Sequence, residues 1–287
     1  MSISETLPFP VPGDPRPPWA LRLRAAATLA LAPVLIAQGR RVRARTPRLP
    51  EPSGPRDGTL GAGPPLSLLI VGDSSAAGVG ATTQDEALLG RTLTLLAPHR
   101  RVRFRLVART GRTTMDALAA LEALPAEPFD VAVTALGVND VTARVPLGPW
   151  LAQQRALRER LATRFGVART IVSGVPPMGE FPALPQPLRA WLGALADQRD
   201  AALRAAVSGL PDVRFVPLRA FSADAAMSAD GYHPGPTVYG EWAERVSDAI
   251  LEPHRTGRVT GEVEAVRSTG RLRGGGERGA RQPAVRP

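Results

Sequence analysis

Ser74 follows a run of bulky apolar residues, Leu66 to Val71, by way of Gly72 and Asp73. The run has the composition of a strand buried on both faces, and a strand that stops at Gly-Asp-Ser delivers a hydroxyl to the carboxyl edge of a sheet. In open α/β sheets that edge, where strand order reverses, is where ligands bind, which makes Ser74 a candidate nucleophile. Gly, Asp and Ser are also common turn residues, so a plain tight turn is the alternative. A serine hydroxyl attacks only when a base takes its proton, and a neutral imidazole within about 2.6–3.2 Å can do this. The chain has 3 histidines: His99, His233 and His254. His99 sits beside Arg100 and Arg101 in a turn and His254 begins the tail, which leaves His233 as the base. An imidazole in that role needs an acceptor to fix its tautomer and stabilise its cation. Asp230 in Asp230-Gly231-Tyr232-His233-Pro234 fits that need, although Asp-x-x-His also occurs in solvated loops.

Such groups must be carried by a frame, and the hydrophobic pattern outlines one. Asp85 to Ala97 has helical spacing through Leu88, Leu89, Leu93 and Leu96, and Arg101 to Val107 alternates as a strand does. Thr113 to Leu124 opens with Thr-x-x-Asp, a relative of the capping box, and continues as a helix. Phe129 to Leu136, Thr170 to Ser173 and Val213 to Val216 read as strands; Trp150 to Phe165, Leu188 to Val207 and Tyr239 to Leu251 read as helices. Strands that each precede a helix predict an α/β fold, a three-layer α/β/α sandwich with a five-stranded parallel sheet. In that topology the loops carrying Ser74, Arg109-Thr110-Gly111, Gly137-Val138-Asn139-Asp140 and Asp230 to Pro234 can meet at one rim.

Composition narrows the chemistry. The absence of cysteine excludes disulfides, catalytic thiols and Cys-based zinc sites. With 3 His and only ordinary loop carboxylates, neither a metal site nor an organic cofactor is expected. The formal charge of +10 raises the question of nucleic acid. All 36 basic residues are arginine, however, which reads as a compositional bias, and many lie near the two ends; no nucleic-acid partner is expected.

Residues 1 to about 60 form a leader ahead of a domain at 61–252, and residues 253–287, rich in Arg and Gly, form a disordered tail. Met1 to Pro18 is Pro-rich, and Ala25 to Ala37 is apolar between Arg22 and Arg24 on one side and Arg40, Arg41, Arg43 and Arg45 on the other. A spanning helix needs about 20 apolar residues; this run is shorter, is interrupted by Pro33 and lacks a clean cleavage site, so no cleaved signal peptide is expected. Two readings stay open: peripheral membrane contact through residues 19–45, or a helix packed on the protein's own domain, in a cytoplasmic or peripherally attached protein. Arg48 to Pro65, rich in Pro and Gly, reads as a linker.

Taken in order, the four loop blocks resemble the SGNH (GDSL-type) hydrolases, whose signature is a Ser in Gly-Asp-Ser, a Gly after the second strand, an Asn in Gly-x-Asn-Asp and a closing Asp-x-x-His-Pro. The likeness spans Leu66 to His233. It implies the flavodoxin-like fold of that family and a serine ester hydrolase that works through an acyl-enzyme on Ser74, with Asp230 and His233 completing a triad. It also implies an oxyanion hole made of the backbone N–H groups of Ser74 and Gly111 and the side-chain amide of Asn139. Physical chemistry agrees, because glycine allows close approach of the backbone and an Asn amide can donate where a carboxylate cannot. An ordinary loop glycine and a helix N-cap are the alternatives for Gly111 and Asn139. Asp140 reads as a structural brace.

Two departures from the family pattern leave the catalytic groups intact and the substrate open: Ser75 stands where many relatives have Leu, and no Asn precedes Gly111. The flank Gly-x-Ser-x-Ala also differs from the Gly-x-Ser-x-Gly elbow of α/β-hydrolases. Val175 to Arg189, too Pro-rich to be regular, reads as a stiff apolar pocket wall with Met178, Phe181 and Leu184 as lining, or as a loop packed on its own core. Simple esters, lysophospholipids, thioesters and acetylated sugars all remain as substrates. The competing class is a non-catalytic polyanion- or membrane-surface-binding protein that uses the Arg-rich ends, for which the four blocks would be coincidence.

Overall fold

The apolar run ending at Gly72 forms the central strand, β2 (Pro65–Gly72), in a computed structural model that describes residues 18–221 and 226–252, with 18–29 as backbone alone. Successive side chains of a strand point to opposite faces, so one unbroken apolar run can serve two cores. Leu68 and Ile70 join the core under α3 (Leu88–Leu96) and α8 (Pro236–Leu251). Leu69 and Val71 join the one under α4 (Thr114–Glu122) and α6 (Leu147–Phe165), and α7 (Leu188–Val207) packs beside α6. These are the three expected layers.

Beside β2 lie β3 (Arg101–Ala108) on one side and β4 (Val131–Ala135) on the other, followed by β5 (Arg169–Ser173) and β6 (Val213–Val216), all parallel. The chain leaves β2 first for β3 and later crosses to β4, so strand order reverses at the carboxyl end of β2. The sheet has a sixth strand, β1 (Asp57–Leu60), paired antiparallel along the outer edge of β3. This corrects the reading of residues 57–60 as part of a linker. All four residues of β1 are exposed, so no apolar alternation marks it; pairing to an open edge is what makes it a strand.

The helix α1 (Pro18–Arg45) is longer than the apolar run that suggested it. Leu35 is buried, and Leu31 and Val42 pack in the same cluster as α7. Gln38 adds two bonds at the start of α7, donating from Nε2 to Gln186 O at 2.6 Å and accepting at Oε1 from Leu188 N–H at 3.0 Å. One stripe of α1, through Leu31, Leu35, Gln38 and Val42, therefore lies on the protein's own domain, while Val34 and Ile36 are exposed. Among the described residues no helix is long and apolar enough to cross a membrane. The expectations for residues 1–17, for the tail and for His254 fall outside the described residues.

Candidate active site

At the switch point, a Cβ on Gly72 would lie 2.4 Å from Ala76 Cβ and 2.6 Å from Ala135 O. Only glycine lets β2 end this close to β4. Asp73 then caps the short helix α2 (Ser74–Ala77), its Oδ1 accepting from Ser75 N–H at 3.0 Å. Ser74 is the first helical residue, where backbone N–H groups have no intrahelical partner, and none of the described residues accepts from it.

The loop between β6 and α8 brings the other two expected residues to Ser74. His233 Nε2 lies 2.9 Å from Ser74 Oγ, and His233 Nδ1 lies 2.6 Å from Asp230 Oδ2. The Asp230 side chain is fully buried, and its Oδ1 accepts from Ser228 Oγ at 2.8 Å, Tyr232 N–H at 2.9 Å and His233 N–H at 3.0 Å. Burial by itself would raise this carboxyl's pKa; the bonds from His233, Tyr232 and Ser228 outweigh it and hold the group below the ordinary range. An ionised Asp230 keeps the proton on Nδ1 and leaves Nε2 to accept from the Ser74 hydroxyl. Ser228 was missed in the sequence; its only local signal is a Ser-x-Asp spacing.

Asn139 lies on α5 (Val138–Thr142), after β4. Its Nδ2 donates to Arg112 O at 2.9 Å and makes a long contact of 3.4 Å with Asp73 Oδ2, so it touches both the residue before the nucleophile and the loop of Gly111. Gly111 is exposed with φ 84°, and no described residue accepts from its N–H. Among the described residues no hydrogen bond links either residue to Ser74, whose hydroxyl pairs with His233 alone. Behind them Asp140 accepts from Thr114 N–H at 3.1 Å and Thr114 Oγ1 at 2.9 Å, while Gln154 Nε2 donates to the same hydroxyl at 2.9 Å. That is a bracing role, joining α4, α5 and α6.

Sequence reading also overlooked Asp73 as a titrating group. Burial, with the charge of Asp140 adding to it, pushes its carboxyl up to about 7 against the bond from Ser75 N–H. The sign follows by linkage: a folded pKa above the unfolded one gives a contribution to stability that is full below the unfolded value of about 3.9 and is lost as pH rises to about 7. Asp73→Asn keeps the acceptor for Ser75 N–H and removes the titration. Relative to wild type it should therefore gain stability between pH 4 and 8, on the order of a few kcal/mol, in urea unfolding at the two pH values. A gap that does not change with pH would contradict this.

A cavity of about 760 Å³ opens onto Ser74 and His233, lined largely by apolar groups that include Leu136, Val138, Phe181, Met227 and Trp242. Of the three side chains expected to line a pocket, Phe181 faces this cavity, whereas Met178 and Leu184 are buried in the core with α7 and do not line it. The turn Met178–Glu180 lies so close to α7 that a Cβ on Gly193 would fall 2.7 Å from Gly179 Cα, which places Met178 against that helix. An irregular Pro-rich loop has no periodicity from which that placement could be read. Among the described residues no cluster of three or more His, Asp or Glu is placed to hold a metal ion.

Residues 70–240 match the sequence profile of the GDSL-like Lipase/Acylhydrolase family. The chain belongs to this family. It is 31% identical over 265 residues to a GDSL-like esterase of Mycobacterium tuberculosis, covering 81% of this chain and 82% of that relative. Among solved structures it resembles a member of the lipolytic G-D-S-L family from Veillonella parvula, with TM-score 0.53 and 12% identity over 65% of this chain and 99% of the other. It also resembles a carbohydrate esterase family 2 enzyme with a carbohydrate binding domain from Corynascus thermopiles, with TM-score 0.51 and 16% identity over 69% of this chain and 67% of the other. At these identities the structural likeness is one of fold, a mostly parallel sheet with helices on both faces. Membership in the GDSL family assigns ester hydrolysis in general terms. The profile begins inside β2, so α1, β1 and the segment between them lie outside the matched residues.

Proposed function

We propose that this GDSL family member is a serine ester hydrolase that turns over through an acyl-enzyme on Ser74. The line from Ser74 Oγ through the His233 ring to Asp230, at 2.9 and 2.6 Å, carries the reading. Ser74 Oγ attacks the acyl carbonyl while its proton passes to His233 Nε2, and Asp230 stabilises the imidazolium. The backbone N–H groups of Ser74 and Gly111, which have no acceptors among the described residues, meet the oxyanion. Asn139 joins them by exchanging its long contact with Asp73 for the substrate oxygen. Collapse expels the alcohol with the proton from His233, and water, activated by the same base, releases the acid.

The mostly apolar lining of the cavity favours esters with an apolar acyl or alcohol portion over small acetylated sugars. The test is a fluorophosphonate, which should add once per chain, at the peptide containing Ser74. Addition at another serine, or none under conditions where the protein hydrolyses esters, would overturn the assignment.

A further inference from the structure

The segment from Glu51 to Arg56 lies outside the residues matched by the family profile, yet it binds two loops of the proposed oxyanion hole. Glu51 Oε1 accepts from Thr110 N–H at 2.7 Å and from Thr110 Oγ1 at 2.9 Å, and its Oε2 accepts from Arg56 Nη1 at 2.7 Å. Arg56 in turn donates from Nη2 to Ala108 O, and its own carbonyl accepts from Leu106 N–H at 2.7 Å. Toward the nucleophile, Pro52 is buried against Gly78, where a Cβ would lie 2.8 Å from Pro52 Cγ. Ser53 O accepts from Gln84 N–H at 2.8 Å, and Gln84 Nε2 donates to Ala77 O at 2.9 Å. One short stretch thus ties the chain just past Ser74 to the end of β3.

Gly111 itself is not held by packing, since nothing lies within 4 Å of where its Cβ would be. Its neighbours are held instead: Arg112 O receives the Asn139 amide at 2.9 Å, and Thr110 is gripped by Glu51. We propose that Glu51 is a positioning residue for ester hydrolysis: by holding Thr110 it fixes the peptide that carries the Gly111 N–H, so this donor stays aimed where the oxyanion forms. The inference rests on the serine-hydrolase reading above. Burial raises the Glu51 pKa, but the Thr110 and Arg56 bonds outweigh it and hold the carboxyl below its ordinary range, so a charged acceptor faces Thr110 at neutral pH. A donor that acts only on the developing oxyanion affects the transition state and leaves substrate binding alone.

The test compares kcat, KM and the rate of fluorophosphonate inactivation in the full chain and its variants. Glu51→Ala should lower kcat by about tenfold to a hundredfold, less than the ~10²–10³ expected for loss of a whole oxyanion donor, with KM within about threefold. The inactivation rate should fall in parallel. Glu51→Gln keeps a carbonyl acceptor for Thr110 and should retain at least about a third of kcat. Glu127→Ala, which breaks a comparable surface pairing with Arg103 and Arg105, should leave kcat unchanged. If Glu51→Ala does not fold, Thr110→Val carries the test, with kcat about threefold lower at unchanged KM. Wild-type kcat in Glu51→Ala or Thr110→Val, a change confined to KM, or Glu51→Gln as weak as Glu51→Ala would overturn the inference alone. A wild-type protein that neither labels at Ser74 nor hydrolyses esters would instead overturn the function beneath it.

Discussion

His233→Ala is expected to lower kcat by about 10⁴-fold or more, and Ser74→Ala by no less, because residues that act as one unit fail together. No other described imidazole can substitute. His99 precedes β3, at the amino end of a strand whose carboxyl end lies beside Ser74. Eight residues of strand separate the two edges, about 26 Å at roughly 3.3 Å per residue. The remaining activity should come from oxyanion donation and substrate binding alone, so the double variant should be no slower than either single one. Steady-state assays with an activated ester, with Tm measured alongside to confirm folding, decide the matter. More than about 1% of wild-type kcat in His233→Ala would mean that another group is the base.

Asp230→Asn should cost about 10³–10⁴-fold in kcat while leaving the shape of the site intact. Asp230 Oδ1 receives two backbone N–H groups and the Ser228 hydroxyl, so an Asn there would keep its carbonyl oxygen on that side. Its NH2 would then face His233 Nδ1, which must become the acceptor. The ring proton moves to Nε2, and Ser74 loses its base. The same substitution should flatten the acid limb of stability. A carboxyl whose folded pKa lies below the unfolded value contributes stability above about pH 4 and loses it as pH falls through the folded value. Kinetics within tenfold of wild type would remove Asp230 from the mechanism, whatever the stability curve does.

How much of this was legible before the structure depends on whether the signal was local. The run Leu66 to Val71 announced a doubly buried strand because each of its side chains meets one core or the other, and the helices that follow each core strand carry their apolar stripe in their own residues. Ser74 stood out for a related reason, since it sits where a strand has just ended, whereas Asp230 and His233 lie far past the end of β6 and were singled out by their types and spacing alone. What the sequence determined by itself was therefore the layered α/β frame and which candidate groups its loops carry. The tertiary structure decided everything that depends on a partner far along the chain. β1 exists because β3 has an open edge, α1 lies on α7 through Leu35 and Gln38, and Met178 and Leu184 are buried in the core with α7. Glu51 reaches Thr110 across 59 residues, and Asp73 is raised by a burial and a neighbouring charge that no window of sequence contains. Hydrophobic periodicity records which side of an element faces inward, but it carries no information about which distant backbone groups or charges will stand opposite.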